Sequence, residues 1–177
     1  NWTSTVRCKV LRGFKNYLLA LHCRKNTAEY PRMVKWSDTA APGGVPASWD
    51  ETDPSVDAGE VVLAEGSDAI VDCLSLADVN IIYTEGSTWV QRLSGNGTIF
   101  NFTKIFDLSG LLAQDCALPL NGQHFAVTQD DVVLHDTNRI QSVIDGKMRN
   151  WFFRNLNSST FNLSFCVLDR RNREIWI

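Results

Sequence analysis

The 177-residue chain lacks any apolar run long enough to cross a bilayer as a helix. Its uncharged apolar stretches, such as residues 61–64 and 80–83, fall far short of the roughly 20 residues such a span requires. No membrane-spanning segment is expected. It also lacks a surplus of positive charge, with 17 Lys and Arg against 20 Asp and Glu and a net charge of −3. That balance argues against a free nucleic-acid binder. The five cysteines (Cys8, Cys23, Cys73, Cys116, Cys166) include no Cys-x-x-Cys pair and no Cys/His spacing of a zinc site. Odd in number, far apart and mostly flanked by apolar residues, they read as buried reduced thiols. No serine sits in a Gly-x-Ser-x-Gly elbow. Gly43-Gly44 and Gly95-Asn96-Gly97 have neither the Lys nor the strand-to-helix setting of a phosphate loop. There is no initial Met and no signal segment, so the Asn-x-Ser/Thr triplets at Asn1, Asn96, Asn101, Asn157 and Asn162 are read as unmodified. The chain stops within the strand-like run Glu174-Ile175-Trp176-Ile177 and is read as an internal fragment of a longer one.

What is present is a globular composition, 44% hydrophobic and 10% aromatic, in a chain long enough to bury a real core. An alternating apolar strand, a polar turn and a second strand recur. The copies lie near residues 16–36, 79–93, 124–135 and 164–177, with turns at Thr84-Glu85-Gly86-Ser87, Thr128-Gln129-Asp130-Asp131 and Asp169-Arg170-Arg171-Asn172 in the last three. Aligning Leu18, Ile81, Phe125 and Phe165 gives spacings of 63, 44 and 40 residues. The last two match the roughly 40 to 50 residues of a propeller blade. The first requires an insertion, placed at residues 37–72, where Pro42-Gly43-Gly44-Val45-Pro46 and Thr52-Asp53-Pro54 favour loop. The fold is therefore read as all-β: residues 1–177 form part of a larger β-propeller, with a long acidic loop and one short helix near 145–155. Asp145 is the expected N-cap of that helix, and Met148, Trp151 and Phe152 its apolar stripe. Residues 101–108 and 111–120, separated by Ser109-Gly110, remain open between strand and helix.

Charge is segregated. From residue 37 to residue 91 there are eleven acids and no Lys or Arg, and the remaining 17 bases and 9 acids give +8. Separation of this kind generates directional potentials and suits contacts in which an acidic face of one copy meets a basic face of the next; a solvated acidic loop is the alternative. Asp50, Glu51, Asp53, Asp57 and Glu60 are the candidate acids, and Arg170, Arg171 and Arg173 the candidate basic interface.

Catalytic constellations are weak. His22, His124 and His135 fall in strand-like contexts and read as structural. Asp50 with Asp53, or Asp130 with Asp131, offers two carboxylates for a glycosidase pair, but the second pair sits in a turn that favours Asp for local reasons. The loop from Asp50 places its oxygens out of register for calcium. No metal or cofactor is expected. Trp36, Trp49, Trp89, Trp151 and Trp176 share no single period and read as core plugs of separate blades.

A set of ordered runs carries a resemblance. They are residues 8–21, Val34-Lys35-Trp36-Ser37-Asp38, Ser48-Trp49-Asp50, Asp57-Ala58-Gly59-Glu60, Ile82-Tyr83-Thr84-Glu85-Gly86-Ser87-Thr88-Trp89, residues 143–153 and Arg171-Asn172-Arg173-Glu174-Ile175-Trp176. Together they resemble the tail nozzle, or tail stabilisation, proteins of short-tailed bacteriophages over nearly the whole chain. The resemblance implies a structural virion protein without enzymatic activity, containing a β-propeller. It would be assembled in the host cytoplasm into a homo-oligomeric ring, usually of six copies, between portal or adaptor and tail fibre or needle. The ring extends the channel for genome ejection. On that reading the candidate acids face the lumen, where negative charge repels passing DNA phosphates, or a neighbouring subunit. The alternative reading is a carbohydrate-binding or glycoside-hydrolysing propeller, motivated by its tryptophans and acids. A cellular interaction propeller is the third, without the Gly-His to Trp-Asp pairing of WD40 repeats.

Overall fold

The computed structural model describes residue 2, residues 5–95 and residues 97–177; the triplets at Asn1 and Asn96 lie outside the described residues. Tight turns at left-handed residues punctuate the chain. Lys15 (φ 53°), Asn26 (φ 54°), Ala77 (φ 51°) and the Asn121-Gly122 pair (φ 50° and 79°) each reverse one strand into the next, the geometry that matches strand twist in two-residue hairpins. The result is mostly β, 47% strand and 9% helical, in four antiparallel sheets.

Strands β1 (Val6–Phe14), β2 (Tyr17–Lys25), β3 (Ala28–Trp36) and β4 (Gly59–Val62) form the first sheet, in that order. The second runs β5 (Ile70–Leu76), β6 (Val79–Thr84), β7 (Ser87–Leu93), β8 (Phe100–Asp107). The third is β9 (Ala117–Leu120), β10 (Gln123–Val127), β11 (Val132–His135), β12 (Ile140–Ser142). After helix α1 (Gly146–Asn155) and a 3₁₀ helix (Ser158–Leu163), strands β13 (Val167–Asp169) and β14 (Glu174–Trp176) make a two-stranded sheet. Contacts divide the chain into two compact units. One runs to Ile70 and includes Leu93–Asn101; the other comprises Val71–Arg92 and Phe102–Ile177.

In the first unit, β1 alternates buried and exposed side chains as a one-sided strand should: Val10 and Phe14 point in, Lys9 and Leu11 out. Leu19, Ala20, Leu21, Met33 and Val34 are buried. A bulge at His22 (φ 52°) shifts register between Leu21 and Cys23 and lets the ring Nδ1–H donate to Ile70 O at 3.2 Å. Phe14, Tyr17 and Trp36 surround Phe100, with ring centroids 6.1, 5.1 and 5.3 Å away.

The acidic segment 37–72 is not loop throughout. β4 pairs with β3 inside it, Trp36 opposite Gly59 and Lys35 opposite Glu60, and β5 begins at Ile70. Four residues show too little alternation to signal a strand. Gly59 is held there by contact: a Cβ on it would lie 2.5 Å from Trp36 Cζ2, while the Trp36 indole N–H donates to Asp57 O at 2.8 Å. Gly59→Ala must displace the indole, and its stability in urea is expected to fall by about 1 kcal/mol; an unchanged midpoint would show that the ring moves freely.

The core of the second unit gathers Ile81, Tyr83, Val90, Leu111, Leu118, Phe125, Val127 and Val132. Residues 101–108 resolve mainly into β8, and 111–120 into a turn followed by β9. Asp145 caps α1 as expected, accepting from Met148 N at 2.7 Å. The helix's apolar face is different from the expected one. Phe152, Phe153 and Leu156 pack against the core, whereas Met148 and Trp151 are exposed, Trp151 by 64%. A run of adjacent aromatics supports two helical registers, and the Arg149–Asp131 ion pair at 3.0 Å accompanies the second. Trp176 is also exposed and Trp49 partly so, leaving Trp36 and Trp89 as buried plugs.

Candidate charged surfaces and the buried histidine network

The five candidate acids divide by environment. Glu60 is placed by its pairing opposite Lys35 across β3 and β4, and Glu51 arrives from the preceding loop. Lys35, 3% exposed, bonds Glu51 and lies 3.1 Å from Glu60. Lys25, at the end of β2, reaches Glu51 at 2.8 Å and Glu60 at 2.5 Å. The four groups form a closed, neutral cluster. Burial pushes the Glu51 carboxyl upward, but bonds from Lys25 and Lys35 outweigh it and hold the group at about 2. Asp57 also turns toward its own chain, accepting from Tyr17 OH at 3.1 Å. Partial burial and then that carboxylate raise the phenol to about 12.

Asp50 and Asp53 remain at the surface in successive turns. Asp50 Oδ1 accepts from Thr52 N (3.0 Å) and Oγ1 (2.6 Å), and Asp53 Oδ1 from Ser55 N (2.9 Å) and Oγ (2.6 Å). These bonds lower both carboxyls. The sequence placed all five acids together without showing that Lys25 and Lys35 neutralise two of them. The only hint was charge spacing on strands whose partner, β4, was not legible.

The basic residues occupy the turn between β13 and β14. Asp169 Oδ1 organises it, accepting from Arg171 N at 2.9 Å and Asn172 N at 3.1 Å; Arg173 is left-handed at φ 59°. Arg170 and Arg173 line a cleft of about 640 Å³ with Pro119, Leu120, Leu168 and Ile175. Among the described residues none of Arg170, Arg171 and Arg173 has an ion-pair partner. The cleft thus joins two unpaired cations to an apolar floor.

A third constellation is interior. His124 and His135 stand opposite each other on β10 and β11, and both bond the hydroxyl of Tyr83 from β6: Nδ1 of His124 at 2.8 Å and Nε2 of His135 at 2.6 Å. Each residue is 1% exposed or less. The far nitrogens donate to carbonyls, His124 Nε2–H to Ser75 O and His135 Nδ1–H to Asp136 O, both at 3.1 Å. Burial lowers both imidazoles, His124 to about 4, and raises the Tyr83 phenol well above its ordinary value.

Two further features bear on ligands. Among the described residues no three His, Cys, Asp or Glu side chains are grouped to hold a metal ion. In the first unit Trp2, Val6, Arg7, Cys8, Leu11, Leu18 and Trp49 line an apolar depression of about 550 Å³, with the two indoles edge to face at 4.9 Å. No protein-family model and no curated protein matches the chain.

Proposed function

We propose that the chain is a structural component of a short-tailed phage tail nozzle, its sheets acting as blades of a β-propeller. The observation that carries this reading is the succession of three four-stranded antiparallel meanders, each strand beside its sequence neighbour, followed by a further hairpin. That is the construction of propeller blades. The ordered runs that resemble nozzle proteins lie on it: residues 8–21 span most of β1 and part of β2, residues 82–89 form the β6–β7 hairpin, and residues 171–176 form the turn into β14. Copies associate as a closed ring, six in the family the sequence resembles, between portal or adaptor and tail fibre or needle. The ring is built in the host cytoplasm and resides in the virion, where it conducts the genome without chemistry of its own.

Within this reading, the surface acids Asp50 and Asp53 line the bore or an interface, and the unpaired cations at Arg170 and Arg173 receive a neighbour's acidic segment. Electron microscopy of the full-length protein, or of particles containing it, tests the reading. A closed ring with a bore wider than the roughly 20 Å of a DNA duplex is expected, and isolated monomers at high concentration would overturn it. Arg170→Glu with Arg173→Glu is expected to weaken assembly about tenfold in sedimentation, or about 1.4 kcal/mol. Assembly unchanged by the double reversal would remove these arginines from the interface.

The Trp2/Trp49 depression favours a second reading, a carbohydrate-binding propeller, because indole faces stack on sugar rings. Glycan-array binding abolished by Trp49→Ala is its expected signature, and silence of the intact protein on the array would dispose of it.

A further inference from the structure

Counting hydrogens in the Tyr83–His124–His135 network leaves it one short. Ser75 O and Asp136 O only accept, so His124 Nε2 and His135 Nδ1 each carry a hydrogen. In neutral rings the facing atoms, His124 Nδ1 and His135 Nε2, are then lone pairs. Both point at one phenol oxygen, at 2.8 and 2.6 Å, and that phenol has a single hydrogen. It satisfies one imidazole and leaves the other facing an oxygen lone pair, with all three side chains buried. Buried polar atoms left without a partner are unfavourable. One added proton repairs the network: the ring that receives it donates to Tyr83 O while Tyr83 O–H donates to the other.

The surroundings set the terms of that uptake. From β5, the buried Asp72 and the Cys73 thiol act on Tyr83, and the Asp72 carboxylate accepts from Cys73 N at 2.8 Å and Asp115 N at 3.0 Å. Beyond β11, Asp136 bears on His135. From β8, Phe106 meets the His135 ring at 5.7 Å. Both acids favour a cation here and burial opposes it. The two imidazoles are 5.6 Å apart, so a second cation meets the first in a medium that screens little.

We infer that Tyr83, His124 and His135 form a single-proton site: the trio takes up one proton as a unit on acidification, completes its hydrogen-bond circuit and resists a second. Because Tyr83 belongs to one sheet of this unit and the histidines to the next, the proton strengthens the polar link between them. The site makes the unit's core responsive to mild acid whatever the protein's role in an assembly.

The test is a pH titration of the intact, isotope-labelled chain from pH 8 to 4, following imidazole nitrogens and the Tyr83 phenol carbon by NMR. His22, bonded to Ile70 O outside the network, serves as the internal reference. The expected result is one shared midpoint for His124, His135 and Tyr83 between pH 6.5, the ordinary imidazole value, and 4, with one proton taken up in total. Tyr83→Phe removes the oxygen that the added proton serves and is expected to lower that midpoint by at least one unit, a tenfold loss of proton affinity. Uptake of two protons, separate midpoints, absence of titration above pH 4, or a midpoint unmoved in a folded Tyr83→Phe would each overturn the inference. The count in the unsubstituted protein decides it even where the variant does not fold.

Discussion

Alanine at Gly110 is expected to destabilise the second unit by about 3 kcal/mol or more, the upper range for overpacking a tight site. A Cβ there would lie 2.3 Å from Glu85 C, Glu85 O and Thr84 O. All three are backbone atoms, so no side chain can swing aside. The turn they belong to is itself braced. Thr84 Oγ1 accepts from Ser87 N at 2.8 Å, Leu111 N donates to Thr84 O at 2.9 Å, and Thr88 Oγ1 donates to Ser109 O at 2.5 Å. Gly122 is the comparison: its φ of 79° strains any side chain, but nothing lies within 4 Å of the added carbon, and Gly122→Ala should lose only about 1 kcal/mol. Urea unfolding of both variants decides the matter. Gly110 has no left-handed φ to account for its loss, so losses no larger than that of Gly122→Ala would mean that the turn yields and close approach does not govern the site.

Lys35→Met should lower stability at neutral pH by about 2 kcal/mol. It leaves Glu51 and Glu60 sharing Lys25, and breaking a buried pair is harmful chiefly through the charge left behind. The loss falls below the fully buried range because the Glu51 and Glu60 side chains retain 30% and 23% exposure. The same cluster fixes the acid response. Glu51 is held at about 2 in the folded chain against an ordinary 4.5. Its contribution is therefore complete above pH 4.5 and disappears as the pH falls toward 2. After allowance for solvent screening it is worth about 1 kcal/mol. Stability measured from pH 6 to 2.5 should decline below pH 4.5 in the parent and less steeply in Lys35→Met; parallel curves would show that the cluster does not govern the acid limb.

The hairpins of β6–β7 and β10–β11 were legible because alternation and turn chemistry agree in each. The helix start was legible because Asp145 precedes a helical run. Strands β4, β9 and β12 were not: they are three or four residues long, too brief for a period to register on their own, whereas the equally short β11 is marked by the Thr128–Asp131 turn that joins it to β10. The helix face was misjudged because Trp151-Phe152-Phe153 is apolar in more than one register. At the charged site, composition revealed the acidic window but not its internal neutralisation, since Lys35 meets Glu60 only once β3 and β4 pair. The histidine network was hidden by distance along the chain, with Tyr83 separated from His124 by 41 residues and from His135 by 52.

The uninterrupted order of strands within each sheet also governs how quickly the chain organises. Every pairing joins strands adjacent in sequence, so little loop-closure entropy is lost before the first contacts form. Contact order, which slows most β proteins, is kept low within each sheet. A meander of this kind can zip its backbone pairing from its turns outward, although the first sheet's aromatic cluster is completed only when Phe100 arrives from β8. Strand pairing within each sheet is therefore local, and stopped-flow refolding should show fast phases insensitive to substitutions in sheets that share no core with the one probed.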